Sequence, residues 1–236
     1  MRVNEEHDVG LARVVERQMR NWELARQQRA GLEPMKRKDV EEFICLSRES
    51  GVGAYRIGTL LAKRTGWPVF EKEILHVMAG DNSVRERVYQ SMDERDLGWW
   101  EEMLRSFMDR GFKTDYTHEL RKNILALARQ GSAIFIGRGA DLILPRNRGL
   151  RVRLVAPLEW RVTQLAERRG LTSADAVKEV QHIDTERAAF IRKHFHVDDR
   201  DPIRYDLVIN LQRYSVDQVV DLIDATRLVL AGEVVK

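Results

Sequence analysis

The chain has 236 residues, of which 43% are hydrophobic and 33% charged, and its 40 Lys and Arg against 37 Asp and Glu give a formal net charge of +3. Basic residues are spread along the sequence with no Lys/Arg block, which argues against direct nucleic-acid binding, and no run approaches the ~18 apolar residues of a membrane span. The single cysteine, Cys45, excludes an intramolecular disulfide, and with a polar N-terminus that does not read as a signal peptide it suggests a cytoplasmic protein.

The first element is an amphipathic helix. Leu11, Val14, Val15, Met19, Trp22 and Ala25 fall on one face, and Gly31 and Pro34 end it. A lone helix cannot bury its own stripe, so this arm (residues 1–40 with its linker) packs in cis or pairs two copies of the chain as a homodimer. From Glu41 the pattern alternates. "EFICLS" is a short apolar strand, "AYRIGTLLAKRTG" a helix closed by Gly66, and "WPVFE" a second strand. A mostly helical stretch from Lys72 to Gln130 follows, broken near Gly80, Gly98 and Gly111. Strands "AIFIG", "RVRLVA" and "YDLVIN" then alternate with helices over Leu158–Arg169, Ser173–His194 and Ser215–Leu230. Short buried strands between helices predict an α/β domain over residues 41–236, a three-layer fold with a five-stranded parallel sheet flanked by helices. Ligands of such sheets lie outside the carboxyl ends of the strands. The loops after Ser47, Gly137 and Ala156 therefore carry the functional expectations.

The first loop, "SRESGVGAYR", lies between a strand and a helix, as a phosphate-binding loop does. Aligned on Gly53 with the consensus G-x-x-x-x-G-K-[ST], it has Arg48 at the first glycine, Ala54 at the lysine and Tyr55 at the hydroxyl. Arg48 and Arg56 bracket the loop and can supply the missing charge. Equally, Arg56 reads as a solvated first-turn residue and Arg48 as the partner of a nearby carboxylate. Candidate donor-phosphate residues are Ser47, Arg48, Ser50, Gly51, Val52, Gly53, Ala54, Tyr55 and Arg56. In the second loop, Arg138 stands between two glycines at a strand end, placed to reach an anion. After the third, Arg161, Arg168, Arg169, Arg187 and Arg192 accumulate, and Asp184 meets Arg187 on one helix face. Such an arm, over about residues 157–200, can close on a phosphoryl group as phosphoryl transfer requires.

Other chemistry is less supported. His76, His118, His182, His194 and His196 show no metal-ligand spacing, Ser47 and Ser50 have no evident base, and Trp99 and Trp100 read as core.

Four segments, "ICLSRESGVGAYRIGTLLAKRTGWPVFEKEIL", "IFIGRGADLILP", "RVRLVAPLEWRV" and "IDTERAAFIRKHFHVDDRDPIRYDLVIN", resemble the cytidylate kinase-like family of P-loop proteins. The resemblance implies a P-loop NTPase fold that moves a phosphoryl group from ATP to a nucleoside monophosphate such as CMP, with Mg2+. It matches Gly51 and Gly53 to the phosphate-loop glycines and Arg138 to an arginine gripping the acceptor phosphate. Arg161 matches an arginine opening the lid-side helix, and Asp184 and Arg187 match residues near the acceptor nucleotide. The helical region of about residues 72–130 would lie on the acceptor side. Ala54 replaces the lysine, Gly139 replaces the aspartate after Arg138, with Asp141 two positions on, and Val180 stands where an arginine is expected. No metal ligand is assigned; Asp141 and Glu49 are the nearest acids. Arg138, Arg161 and Arg187 are thus the expected catalytic residues, and Asp141 and Asp184 join Arg138 and Arg187 in holding the acceptor. The alternative is a catalytically silent nucleotide-binding or regulatory module on the same fold.

Overall fold

The computed structural model describes residues 40–71 and 115–232; the expected N-terminal arm and the stretch with His76, Trp99 and Trp100 lie outside the described residues. Strand β1 (Phe43–Arg48) organises the rest, because its side chains alternate between two buried faces. Phe43 and Cys45 enter one core, with helix α2 (Asp115–Gln130), and Ile44 and Leu46 enter the other, with helix α1 (Ala54–Thr65). Around β1 lie β2 (Val69–Phe70), β3 (Ala133–Ile136), β4 (Leu150–Val155) and β5 (Leu207–Asn210), all parallel, in the order 2-3-1-4-5. The remaining helices are α3 (Ala140–Ile143), α4 (Leu158–Arg169), α5 (Ser173–Phe195) and α6 (Val216–Ala231). Helices α1 and α6 cover one face of the sheet, while α2, α3 and the end of α5 cover the other. The predicted three-layer P-loop NTPase fold is present.

Helix boundaries have local causes. Helix α1 stops where Gly66 takes a left-handed backbone and its N–H donates to the Ala62 carbonyl at 2.9 Å. Helix α6 starts from a capping box in which Ser215 and Gln218 satisfy one another's backbone N–H groups. Helices α4 and α5 form a hairpin closed by their own small core of Val162, Leu165, Ala176 and Val180. None of the described helices is long and apolar enough to cross a membrane.

The chain leaves β1 toward β2 and β3 on one side and later returns to β4 and β5 on the other. The carboxyl end of β1 is therefore a topological switch point, where neighbouring connections diverge and leave a crevice. The loop from Glu49 to Gly53 sits there.

Candidate functional site

The loop after β1 is built to present backbone. Gly51 and Gly53 take left-handed φ values of +92° and +74°. A Cβ on Gly51 would stand 2.6 Å from the Arg161 carbonyl oxygen, so no side chain fits there. Gly53 caps α1 without any side-chain hydrogen bond, and the first turn of α1 carries no acid. The first N–H groups of the helix and its dipole are thus available to an anion. Ala54, at the lysine position, is only 6% exposed and packs with Ile57 and Leu61.

The loop is fastened from behind by a buried arginine and two half-buried carboxylates. One carboxylate oxygen of Asp184 accepts the Ser50 N–H at 2.6 Å, and the other meets the Arg161 guanidinium at 2.5 Å. Arg161 also donates to the carbonyls of Ser50 at 3.2 Å and Ala156 at 2.9 Å, and lies 3.3 Å from Glu49. Glu49 in turn accepts the Ala156 N–H at 3.1 Å, tying the ends of β1 and β4 together. Arg161, 7% exposed, directs its donors to the protein itself. Asp184 meets Arg187 as well, at 3.9 Å, but its closer partner is Arg161.

The turn after β3 is different. Gly137, Arg138 and Gly139 all take left-handed conformations, and Arg138 does so at φ +55° despite its side chain. Its guanidinium stacks 4.8 Å from the centroid of Phe190, and its buried Nε has no hydrogen-bond partner among the described residues. The Arg48 guanidinium lies directly against Gly137, in the space a Cβ would need, and so bridges the two loops. The Arg48 carbonyl accepts from Arg187 at 3.5 Å.

These loops wall a cleft of about 840 Å³. The predicted residues from Ser47 to Tyr55, Val52 excepted, line it together with Arg138 and Arg187. Val52, Arg56, Asp141, Arg161 and Asp184 do not. Asp141 is buried, with Arg204 at 2.5 Å and the Ser47 hydroxyl at 3.4 Å.

Several cleft residues escaped the sequence reading. Arg153 projects from β4 to Asp199 at 3.2 Å and to the Tyr205 hydroxyl at 3.4 Å. Burial alone would lower its pKa, but Tyr205 and Asp199 hold it above the ordinary value. Arg204 also lines the cleft and has a buried Nε with no partner among the described residues. Burial, reinforced by the Asp141 carboxylate, raises the Tyr205 pKa. The available signal was the alternation of "LRVRLV", which puts Arg151 and Arg153 on one face of a strand whose other face is apolar.

The arrangement suits a phosphate-bearing ligand: an uncapped helix N-terminus, two left-handed glycines, and Arg138 and Arg204, each with an Nε unpartnered among the described residues, converge on one crevice. A magnesium cage made by protein alone does not fit. Glu49, Asp141 and Asp184 are each tied to arginine, and the described residues contain no metal-binding group of three or more His, Cys, Asp or Glu.

Comparison with known proteins agrees with this architecture. The model of the cytidylate kinase-like family matches residues 43–213. A cytidylate kinase of Methanopyrus kandleri is 27% identical over 120 residues, covering 47% of this chain and 62% of the relative. A cytidylate kinase of Pyrococcus horikoshii is 24% identical over 107 residues, covering 45% of this chain and 55% of that one. The chain thus spans little more than half the length of these curated relatives. The crystal structure of an uncharacterized protein from Eubacterium ventriosum superposes with a TM-score of 0.64 at 20% identity, covering 79% of this chain and 97% of that one, which shows a shared fold.

Proposed function

The chain belongs to the cytidylate kinase-like family, and we propose that its cleft moves the γ-phosphoryl group of ATP to a nucleoside monophosphate, of which CMP is the first candidate. One observation carries it most: the uncapped start of α1, behind left-handed Gly51 and Gly53, opens into the same cleft as Arg138. In this reading the loop N–H groups hold the donor phosphates and Arg138 grips the acceptor phosphate, its Nε gaining the partner it lacks. An acceptor phosphate oxygen attacks the γ-phosphorus, the bond to the β–γ bridging oxygen breaks, and ADP leaves with that electron pair. Arg187 lies beside Arg48 at the cleft wall, placed to neutralise charge spread over the transferring group. Arg161 and Asp184 act as positioning residues that fix the loop's shape. Magnesium, when present, would travel with the phosphates and neutralise their charge.

Residues 41–236 form the catalytic unit in this reading, in the cytoplasm, and residues 1–40 an extension that packs on it in cis or pairs two copies. Removing residues 1–40 separates the two in size-exclusion chromatography: a change from dimer to monomer assigns pairing, and a chain that is a monomer before and after assigns packing in cis.

Burial of Ala54 where a lysine would stand favours a second reading, a silent nucleotide-binding module. Titration with ATP and magnesium, then with CMP, dCMP, UMP or AMP, separates the two. Ligand at a hundred times its Kd should stabilise the fold by about 2.7 kcal/mol. A shift with ADP production supports the kinase, and a shift without it supports the silent module. An intact protein whose melting moves with none of them contradicts both.

A further inference from the structure

We propose that Arg168 supplies the positive charge missing from the loop after β1, as a direct ligand of the donor polyphosphate; the inference rests on the nucleotide-binding reading above. The loop has Ala54 where a lysine would reach the phosphates, and Ala54 is buried. Arg168 comes from the last turn of α4, 117 residues along the chain from Gly51, yet it reaches back to that loop. Its Nη2 donates to the Gly51 carbonyl and its Nε to the Gln164 carbonyl at 2.9 Å. Its Nη1 lies 3.8 Å from where a Cβ of Gly53 would stand. The guanidinium therefore covers the two glycines whose backbone forms the cradle, and it lines the cleft.

A basic residue in the last turn of a helix has an ordinary explanation, since it offsets the partial negative charge of the helix end. Arg169 fits that role: it pairs with Glu179. Arg168 has no carboxylate partner among the described residues and turns toward the loop. Burial, aided by the like charge of Arg169, lowers its pKa, as expected of a cation that has lost water and gained no anion. The α4–α5 hairpin that carries it is closed by its own apolar core, and Arg161 anchors the start of α4 to the same loop. Arg168 is thus held at a fixed distance from the glycines. A planar guanidinium binding two phosphate oxygens would do from above what a lysine point charge does from within the loop.

Isothermal titration of the full chain with tripolyphosphate and with ATP tests this. Losing a charge-assisted contact in Arg168→Gln should weaken both by roughly ten- to a hundredfold. Arg168→Lys, which restores a point charge, should lose less. Ala54→Lys added to Arg168→Gln should recover part of the loss, a rescue that a purely structural Arg168 would not allow. Unchanged tripolyphosphate affinity in Arg168→Gln overturns the inference, as does a wild type that does not bind tripolyphosphate. If the Ala54→Lys chain fails to melt cooperatively, the lysine variant decides: losses equal to those of Arg168→Gln reject a charge role. A wild type that binds tripolyphosphate but phosphorylates no nucleoside monophosphate removes the kinase reading and leaves the Arg168 assignment standing.

Discussion

The loop after β1 and the turn after β3 look alike in sequence: each follows a buried strand and each holds two glycines; in the structure Arg161 packs against the first and Arg138 belongs to the second. Their arginines live differently. Arg161 meets Asp184 and Glu49 and donates to two backbone carbonyls, and it is buried behind the loop. Arg138 stacks on Phe190, has an Nε without a partner among the described residues, and faces the cleft. The difference shows that an arginine's job follows from what its donors already hold. A guanidinium whose donors are satisfied by protein is a strut, whereas one with donors to spare can take a ligand.

Substitutions should pull these two regions apart. The largest expected effect is at Arg161: Arg161→Met leaves half-buried Asp184 without its closest cation and the Ser50 and Ala156 carbonyls without that donor, and should cost about 2–4 kcal/mol in urea unfolding. Gly51→Ala comes next, at about 1–3 kcal/mol, because the new Cβ meets the Arg161 carbonyl and the backbone is left-handed. Arg138→Ala should change unfolding free energy by no more than about 1 kcal/mol while weakening acceptor binding roughly tenfold or more. If Arg138→Ala unfolds the chain and Arg161→Met does not, the contrast is reversed.

The smallest effect is a pH dependence near the turn. His194 accepts or donates a 2.8 Å hydrogen bond with Thr117 and packs 4.6 Å from Phe190. Burial, then the charges of Lys193, Arg138, Arg121 and His196, lower its pKa below the usual histidine value. The unfolded chain then binds the proton more readily than the folded one. This stabilisation is fully present above the unfolded pKa of about 6.5 and is lost as pH falls through the lower folded value. His194→Gln should flatten that part of the melting temperature–pH curve. An identical slope in the variant would assign the pH dependence elsewhere.

Much of the frame was legible in the sequence because it rests on local pattern. All five strands were visible as short apolar runs, and α4, α5 and α6 as helices over Leu158–Arg169, Ser173–His194 and Ser215–Leu230, within a residue or so of their observed ends. Helix α3 was not read, since its four residues are too few to show a period. The strand expected from Tyr205 begins at Leu207, because Pro202–Arg204 forms a short 3-10 turn and Asp206 exchanges hydrogen bonds with the Arg151 backbone. The site was less legible for a physical reason. Arginines 153, 168 and 204 gain their meaning from partners far away in sequence, as Arg204 does from Asp141, 63 residues off. Spacing does not encode such contacts.

Transfer of a labelled phosphoryl group is the decisive measurement. The intact chain would be incubated with magnesium and ATP labelled at the γ-phosphate, and with CMP, dCMP, UMP or AMP in turn, then its products separated. Label should appear in a nucleoside diphosphate, strongest with CMP, and be lost in Arg138→Ala. No labelled diphosphate with any of the four acceptors, from a protein that melts cooperatively, would contradict the kinase reading.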